Sequence, residues 1–264
     1  MQVLFIGDVF GKPGRSLVAS HLPTIRNRFD FVIANAENAA GGFGLNEDSF
    51  ETLTGAGVNV ITLGNHTWDN REVLRLVDDE RVLRPLNYPT GAPGRGWGTF
   101  RAGGESLTVL NAMGRVFMDA LDDPFRAADE ALDLAGDAPV FVDFHAEATS
   151  EKKAFAWHLD GRVAAVIGTH THVATADTRI LPRGTAFQTD VGMTGPYDSV
   201  IGMDPVGPVQ RFISKLPTRF AVAGGPSEMN AVVVTVSGKM ATEVRRYRFR
   251  DGWSEGRFEG GEPL

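Results

Sequence analysis

Six short apolar runs, at residues 3–6, 31–34, 58–63, 107–110, 140–144 and 163–167, punctuate the first two thirds of this 264-residue chain. Each is rich in β-branched or aromatic side chains and nearly free of charge. Runs without polar alternation suit strands covered on both faces, and the amphipathic stretches between them give the alternation of strand and helix that marks an α/β fold. Residues 15–28 carry Leu17, Val18, Leu22 and Ile25 at helical spacing, with Pro23 expected to kink or divide that helix. Asn46 is placed to cap a helix running through Leu53, and residues 125–135 and 151–159 read as helices. From Thr178 the chain turns to glycine, proline and the alternating segments 185–189, 231–236 and 243–249, which are expected to form antiparallel hairpins completing a second sheet. No linker divides the chain, so a single domain over 1–264 is expected, with a loose tail from about Asp251 where apolar side chains are too few to offset the entropy of ordering.

What stands at the end of the runs carries the chemistry. Asp8 follows the first, Glu37 and Asn38 the second, and Asn65 and His66 the third. His145 follows the fifth, and the sixth runs into His170 and His172. Open α/β sheets place ligands in the crevice beyond the C-terminal ends of their strands, so these distant residues should meet there. His21 and His158 lie in helical stretches and read as structural. With no cysteine in the chain, a metal here has only nitrogen and oxygen ligands. Imidazole, carboxylate and amide oxygen together suit iron, manganese or zinc better than calcium. A carboxylate such as Glu37 can bridge two ions ~3.5–4 Å apart.

Hydrophobic residues at 42% and charged residues at 22% are the mix of a chain that buries a substantial core. A formal net charge of -7 argues against a broad nucleic-acid-binding face. A small phosphate ester remains a suitable partner, because two divalent cations bring more charge than Asp8 and Glu37 return. No basic leader precedes the first run and no stretch of ~18 apolar residues is present, so a soluble, cytoplasmic protein is expected, with no membrane partner. A homo-oligomer is compatible with the sequence.

The order G-D-V-F, A-E-N, G-N-H, F-H, T-H-T-H resembles the calcineurin-like metallophosphoesterases, whose pattern is Asp-x-His, Gly-Asp, Gly-Asn-His, a lone His and Gly-His-x-His. Two departures stand out: Phe10 occupies the place of the first histidine ligand, and Glu37 that of an aspartate. Together with N-A-E-N-A-A-G-G-F-G and T-D-V-G-M-T-G-P-Y-D-S-V-I-G-M-D, they resemble the YmdB-like bacterial subfamily over nearly the whole chain. The resemblance implies a four-layer α/β/β/α sandwich of two mixed sheets. It also implies two metal ions, iron or manganese, one held by Asp8, Glu37, Asn38 and His172 and the other by Glu37, Asn65, His145 and His170. His66 resembles the family's general acid.

The activity implied is hydrolysis of cyclic nucleotides, 2′,3′-cyclic nucleoside monophosphates first among them, by a hydroxide shared between the metals with His66 protonating the leaving oxygen. A phosphomonoesterase acting on nucleotides or phosphoproteins is the enzymatic alternative, and a metal-dependent regulatory scaffold the non-enzymatic one. For Asp69, helix capping is favoured over orienting His66. Arg15, Asn111 and Arg115 stand near strand ends as phosphate-holding candidates beside a solvated default. Asp190, Gly192 and Gly195 are read as pocket lining or as a plain turn.

Overall fold

Each apolar run contributes a strand, because burial on both faces rewards an unbroken stretch of β-branched and aromatic side chains. The computed structural model describes residues 1–259. Its first half runs β1 (Gln2–Ile6), α1 (Gly11–Ile25), β2 (Phe31–Asn35), α2 (Glu47–Gly55), β3 (Val60–Thr62), α3 (Val73–Leu76), β4 (Val82–Leu83), β5 (Trp97–Ala102) and β6 (Glu105–Met113). There follow α4 (Pro124–Leu134), β7 (Val140–His145), α5 (Thr149–Leu159), β8 (Ala165–Thr169), β9 (Arg179–Ile180), β10 (Ala186–Gln188) and β11 (Gly195–Pro196). The last elements are α6 (Val206–Ser214), β12 (Ser227–Ser237), β13 (Met240–Arg250) and β14 (Arg257–Glu259).

Two mixed sheets result. The first has the order β14-β13-β12-β1-β2-β3-β4, with β11 against β12; β1 to β4 are parallel and β12 runs antiparallel to β1. The second has the order β5-β6-β7-β8-β10-β9, parallel from β6 to β10 and antiparallel at both edges. They pack face to face through Val3, Phe5, Ile33 and Val232 on one side and Val109, Phe141 and Ile167 on the other, with the Phe5 and Phe141 rings 5.2 Å apart. Outside the first sheet, Leu17, Val18 and Leu22 of α1 and Leu53 of α2 cover Leu4, Ile6 and Val32. Outside the second, Ala128 and Ala131 of α4 and Phe155 and Leu159 of α5 cover Val142 and Phe144. The architecture is therefore the four-layer α/β/β/α sandwich, and β1 is apolar from Val3 to Ile6 because both its faces are inside. Burying each such large side chain contributes about 1.5–3 kcal/mol. Among the described residues no helix is long and apolar enough to cross a membrane.

Several local expectations need correction. The late hairpin β12–β13 extends the first sheet at the free edge of β1, and the second sheet is built from the middle of the chain. Alternation identifies a strand but not its neighbour. In β12, Val232 and Val234 face the other sheet while Ala231 and Val233 face the helices, so only an interior position satisfies it. Residues 185–189 do contribute β10, but parallel to β8. The β5–β6 hairpin turns on Gly103 and Gly104, both at positive φ, a conformation open to glycine at little cost. Pro23 leaves α1 continuous to Ile25, after which residues 26–28 tighten into a 3-10 turn. Asn46 accepts from the Ser49 amide as the cap of α2, worth about 1 kcal/mol. In the region read as a loose tail, Arg257–Glu259 pair with β13, and residues 260–264 lie outside the described residues.

Candidate metal centre

The C-terminal ends of β1, β2 and β3 in one sheet and of β7 and β8 in the other converge, and the polar residues after them are largely buried. Asp8, Glu37, Asn38 and His145 are all at most 2% exposed. Glu37 and His145 meet at Oε1 and Nε2, 3.0 Å apart. The Asn65 Oδ1 lies 2.9 Å from His145 Nε2, and His170 Nδ1 lies 3.1 Å from it. Glu37, His145 and His170 thus bring one ligand atom each within 4.8 Å of one another. A neighbouring group forms around His172, whose Nε2 is 3.2 Å from Asn38 Oδ1 and 3.8 Å from Asp8 Oδ1.

Hydrogen bonding behind these atoms decides what they can hold. The Thr169 hydroxyl donates to Asp143 at 2.6 Å, so it accepts from His145 Nδ1–H at 2.9 Å. Asp143 also accepts from Asn35 Nδ2 at 2.9 Å and from the Thr62 hydroxyl at 2.5 Å. His170 Nε2–H donates to Glu147 Oε2 at 3.1 Å, and His172 Nδ1–H donates to the Ile201 carbonyl at 2.9 Å. Asn38 Nδ2 donates to the Gly42 carbonyl at 3.0 Å, which turns its oxygen inward. With the imidazoles neutral, as metal ligation requires, the inward atoms of each group are lone pairs facing lone pairs, and Asp8 Oδ1 is buried with no hydrogen-bond partner. Buried acceptors that meet without a proton between them call for a cation. Outer partners that fix each imidazole's tautomer are what a metal-ligating histidine has. The residues fit divalent metal ions.

Protein charges alone show the same demand. Burial opposes a charged His145, but the Glu37 carboxylate overrides it and carries the imidazole up to about 9. Burial would likewise raise Glu37, yet the charge and hydrogen bond of His145 bring it down to about 2. Asp8 is pushed up to about 6, chiefly by burial. His170 falls to about 3 through burial and the charge of His145.

The loop carrying His170 and His172 is strained: both have positive φ, 100° and 64°, conformations that cost about 1–3 kcal/mol each for residues with a Cβ. Asp190 holds it. Its carboxylate accepts from the Thr171 amide at 3.0 Å, the Gly192 amide at 2.9 Å and the buried Lys152 ammonium at 2.7 Å, and Lys152 also donates to the Thr169 carbonyl. Gly64 is required at its position, because a methyl group there would overlap the Glu37 carboxylate and the His145 ring. Phe10, standing in place of a histidine, meets His172 edge to face at 5.5 Å and packs with Met193 and Met203.

His66 borders the cluster. Its amide donates to Glu37 Oε2 at 2.9 Å, and its Nδ1–H donates to Asp69 Oδ2 at 2.7 Å. Asp69 is thus an orienting partner and not a helix cap. Of the other candidates, Arg15 donates to the Ala39 carbonyl and Asp48, Asn111 is buried and donates to the Leu63 and Leu83 carbonyls, and Arg115 faces Asp123. None of the three lines the cavity above the cluster. His21 stacks on Phe249 and meets the Tyr247 hydroxyl at 2.6 Å, and His158 pairs with Asp129. Sequence reasoning missed Thr169, Asp143 and Glu147, although each stands in or just after a strand that delivers a candidate ligand, and polar residues there needed a reason.

The YmdB-like protein family model matches residues 4–247. The chain belongs to that family. Its relatives include the 2′,3′-cyclic-nucleotide 2′-phosphodiesterase of Bacillus subtilis, 48% identical over 95% of this chain and 98% of the relative. A crystal structure of a hypothetical protein from Thermus thermophilus superposes with a TM-score of 0.93 at 50% identity, covering 95% of this chain and 99% of the other. The crystal structure of a novel phosphatase from Mycoplasma pneumoniae gives 0.90 at 35%, over 95% and 93%. A 5′-nucleotidase from Staphylococcus aureus, 12% identical with a TM-score of 0.54 over 99% of this chain and 54% of the other, shares the fold alone.

Proposed function

We propose that the protein is a two-metal phosphodiesterase that hydrolyses 2′,3′-cyclic nucleoside monophosphates. The observation that carries the reading is the convergence of two groups of inward-facing ligand atoms beside His66. Asp8, Glu37, Asn38 and His172 would hold one ion, and Glu37, Asn65, His145 and His170 the other, with iron or manganese suited to this nitrogen and oxygen set. When bound, such ions neutralise phosphoryl oxygens and lower the pKa of water. The name of the Bacillus subtilis relative supports the cyclic substrate and the bond broken.

Water adds to phosphorus and gives up one proton to solvent, the bond from phosphorus to O2′ breaks, and O2′ takes a proton from an acid that solvent then reloads, leaving a 3′-nucleotide. His66 supplies that proton from Nε2. Asp69 accepts from Nδ1–H, so it fixes the ring with Nε2 free to face the leaving oxygen. The His66 amide is tied to Glu37, which keeps the acid in register with the ligand carboxylate. A scaffold has no use for an oriented histidine of this kind, which favours the enzymatic reading.

Metal-loaded protein given 2′,3′-cyclic AMP and, separately, 3′-AMP tests the assignment. Conversion of the cyclic diester to 3′-AMP with slow further loss of phosphate is the expected result. Faster release of phosphate from 3′-AMP than opening of the diester would overturn it in favour of a phosphomonoesterase.

A further inference from the structure

The cavity above the cluster has a volume of about 570 Å³, more space than a single cyclic nucleotide fills, and its far wall has a different character from the metal end. There α6 presents Pro208, Arg211, Phe212 and its C-cap Lys215, residues three and four apart and so on one helical face. Phe43, from the glycine-rich loop after β2, stands near His66 with ring centroids 5.0 Å apart. Both aromatic rings are open to solvent, Phe212 at 74% and Phe43 at 42%. The Arg211 guanidinium lies 5.5 Å from the Phe220 ring and the Lys215 ammonium 5.7 Å from Phe212, and among the described residues neither is ion-paired with a carboxylate. In a chain of net charge -7, two unpaired cations beside exposed rings, on the wall of a phosphate-ester cavity, mark a place for a further anion and a flat ring.

We infer that this wall is a second nucleotide subsite, and that the preferred substrate is the 3′ end of a short RNA strand carrying a 2′,3′-cyclic phosphate. This rests on the phosphodiesterase reading of the metal end. The terminal cyclic phosphate lies at the cluster, the internucleotide phosphate lies against Arg211 and Lys215, and the penultimate base stacks on Phe212. Rings interleaved with cations are how single strands are held without sequence preference. The acidic remainder of the chain limits the grip to the last one or two phosphates.

The test gives metal-loaded protein 2′,3′-cyclic AMP or an adenylyl-adenosine dinucleotide ending in a 2′,3′-cyclic phosphate. We expect kcat/KM to favour the dinucleotide by about tenfold, mainly through KM, the size of a charge-assisted phosphate contact with a stacked base. The double variant Arg211→Gln/Lys215→Gln should reduce the ratio to about twofold or less, while Arg211→Lys/Lys215→Arg preserves it. As a binding readout, the 3′-phosphorylated dinucleotide product should bind more tightly than 3′-AMP, with a salt dependence steeper by about 0.7 in log–log slope for the extra phosphate. Equal kcat/KM values for the two substrates, or a preference that survives the glutamine variant, overturn the subsite and leave the phosphodiesterase standing. Absence of turnover of both by protein with metal bound overturns the two together.

Discussion

Replacing Thr169 by valine removes one hydroxyl and leaves the shape of the side chain nearly intact, so its effect isolates the hydrogen bonds behind His145. Two are lost: the donation to Asp143 at 2.6 Å and the acceptance from His145 Nδ1–H at 2.9 Å. Both groups are fully buried, so neither regains a partner from water. Each unpaired buried group costs about 1–3 kcal/mol, so the two together cost about 2–6, and with each kcal/mol lowering Tm by about 2–4 °C in a protein of this size a fall of roughly 4–24 °C is expected for the chelated protein. Loss of an outer partner also frees the imidazole to change tautomer, which typically weakens metal binding by about 10–100-fold. The assay is metal competition against a chelator of known affinity, with thermal unfolding followed on the same preparations. Unchanged metal affinity alongside the expected loss of stability would refute the tautomer argument, because the hydroxyl would then matter only for packing and for Asp143.

Three further outcomes follow from the geometry. His66→Ala should lower kcat on 2′,3′-cyclic AMP by about 10²–10⁴-fold with metal content unchanged, and Asp69→Asn, which only loosens the ring, should cost less; retention of full activity by His66→Ala would exclude it as the acid. Gly64→Ala should lower metal affinity, read by the same chelator competition, because the added methyl displaces Glu37 or His145; wild-type affinity would contradict the close packing. Burial holds His21 below its ordinary pKa, so the unfolded chain binds more protons than the folded one just below pH ~6.5 and stability falls as pH drops through that window. Tm measured from pH 7.5 to 5 should therefore fall less steeply in His21→Phe than in the natural sequence, and parallel slopes would remove His21 from the acid sensitivity.

Much of the fold was legible because β1, β2, β7 and β8 are buried on both faces and so are written as largely apolar runs, with Asp143 the one charge inside them. The topological position of Asp8, Glu37, Asn65, His145 and His170 followed from those runs, since each stands where its strand ends. Neighbourhood was not legible. The alternation in β12 specifies a strand with two buried faces, but nothing local says that its partner is β1, more than two hundred residues earlier. The helix α6 was also missed, because Gly207 and Pro208 near its start read as loop and its apolar residues face a cavity and solvent instead of a core. Around the centre, the relay from Asp143 through Thr169 to His145 depends on side chains from separate strands, and Asp69 reads as a cap until the His66 ring is placed beside it.

If Asp8, Glu37, Asn38, Asn65, His145, His170 and His172 hold two ions that both take part in turnover, as proposed, a metal titration of activity shows it. Chelated protein is loaded stepwise with manganese, bound metal is counted per chain, and hydrolysis of 2′,3′-cyclic AMP is followed at each step. Turnover that rises mainly as the second equivalent binds is the predicted result. Full turnover at one equivalent, or in protein shown to be free of metal, would rule out a two-metal enzyme.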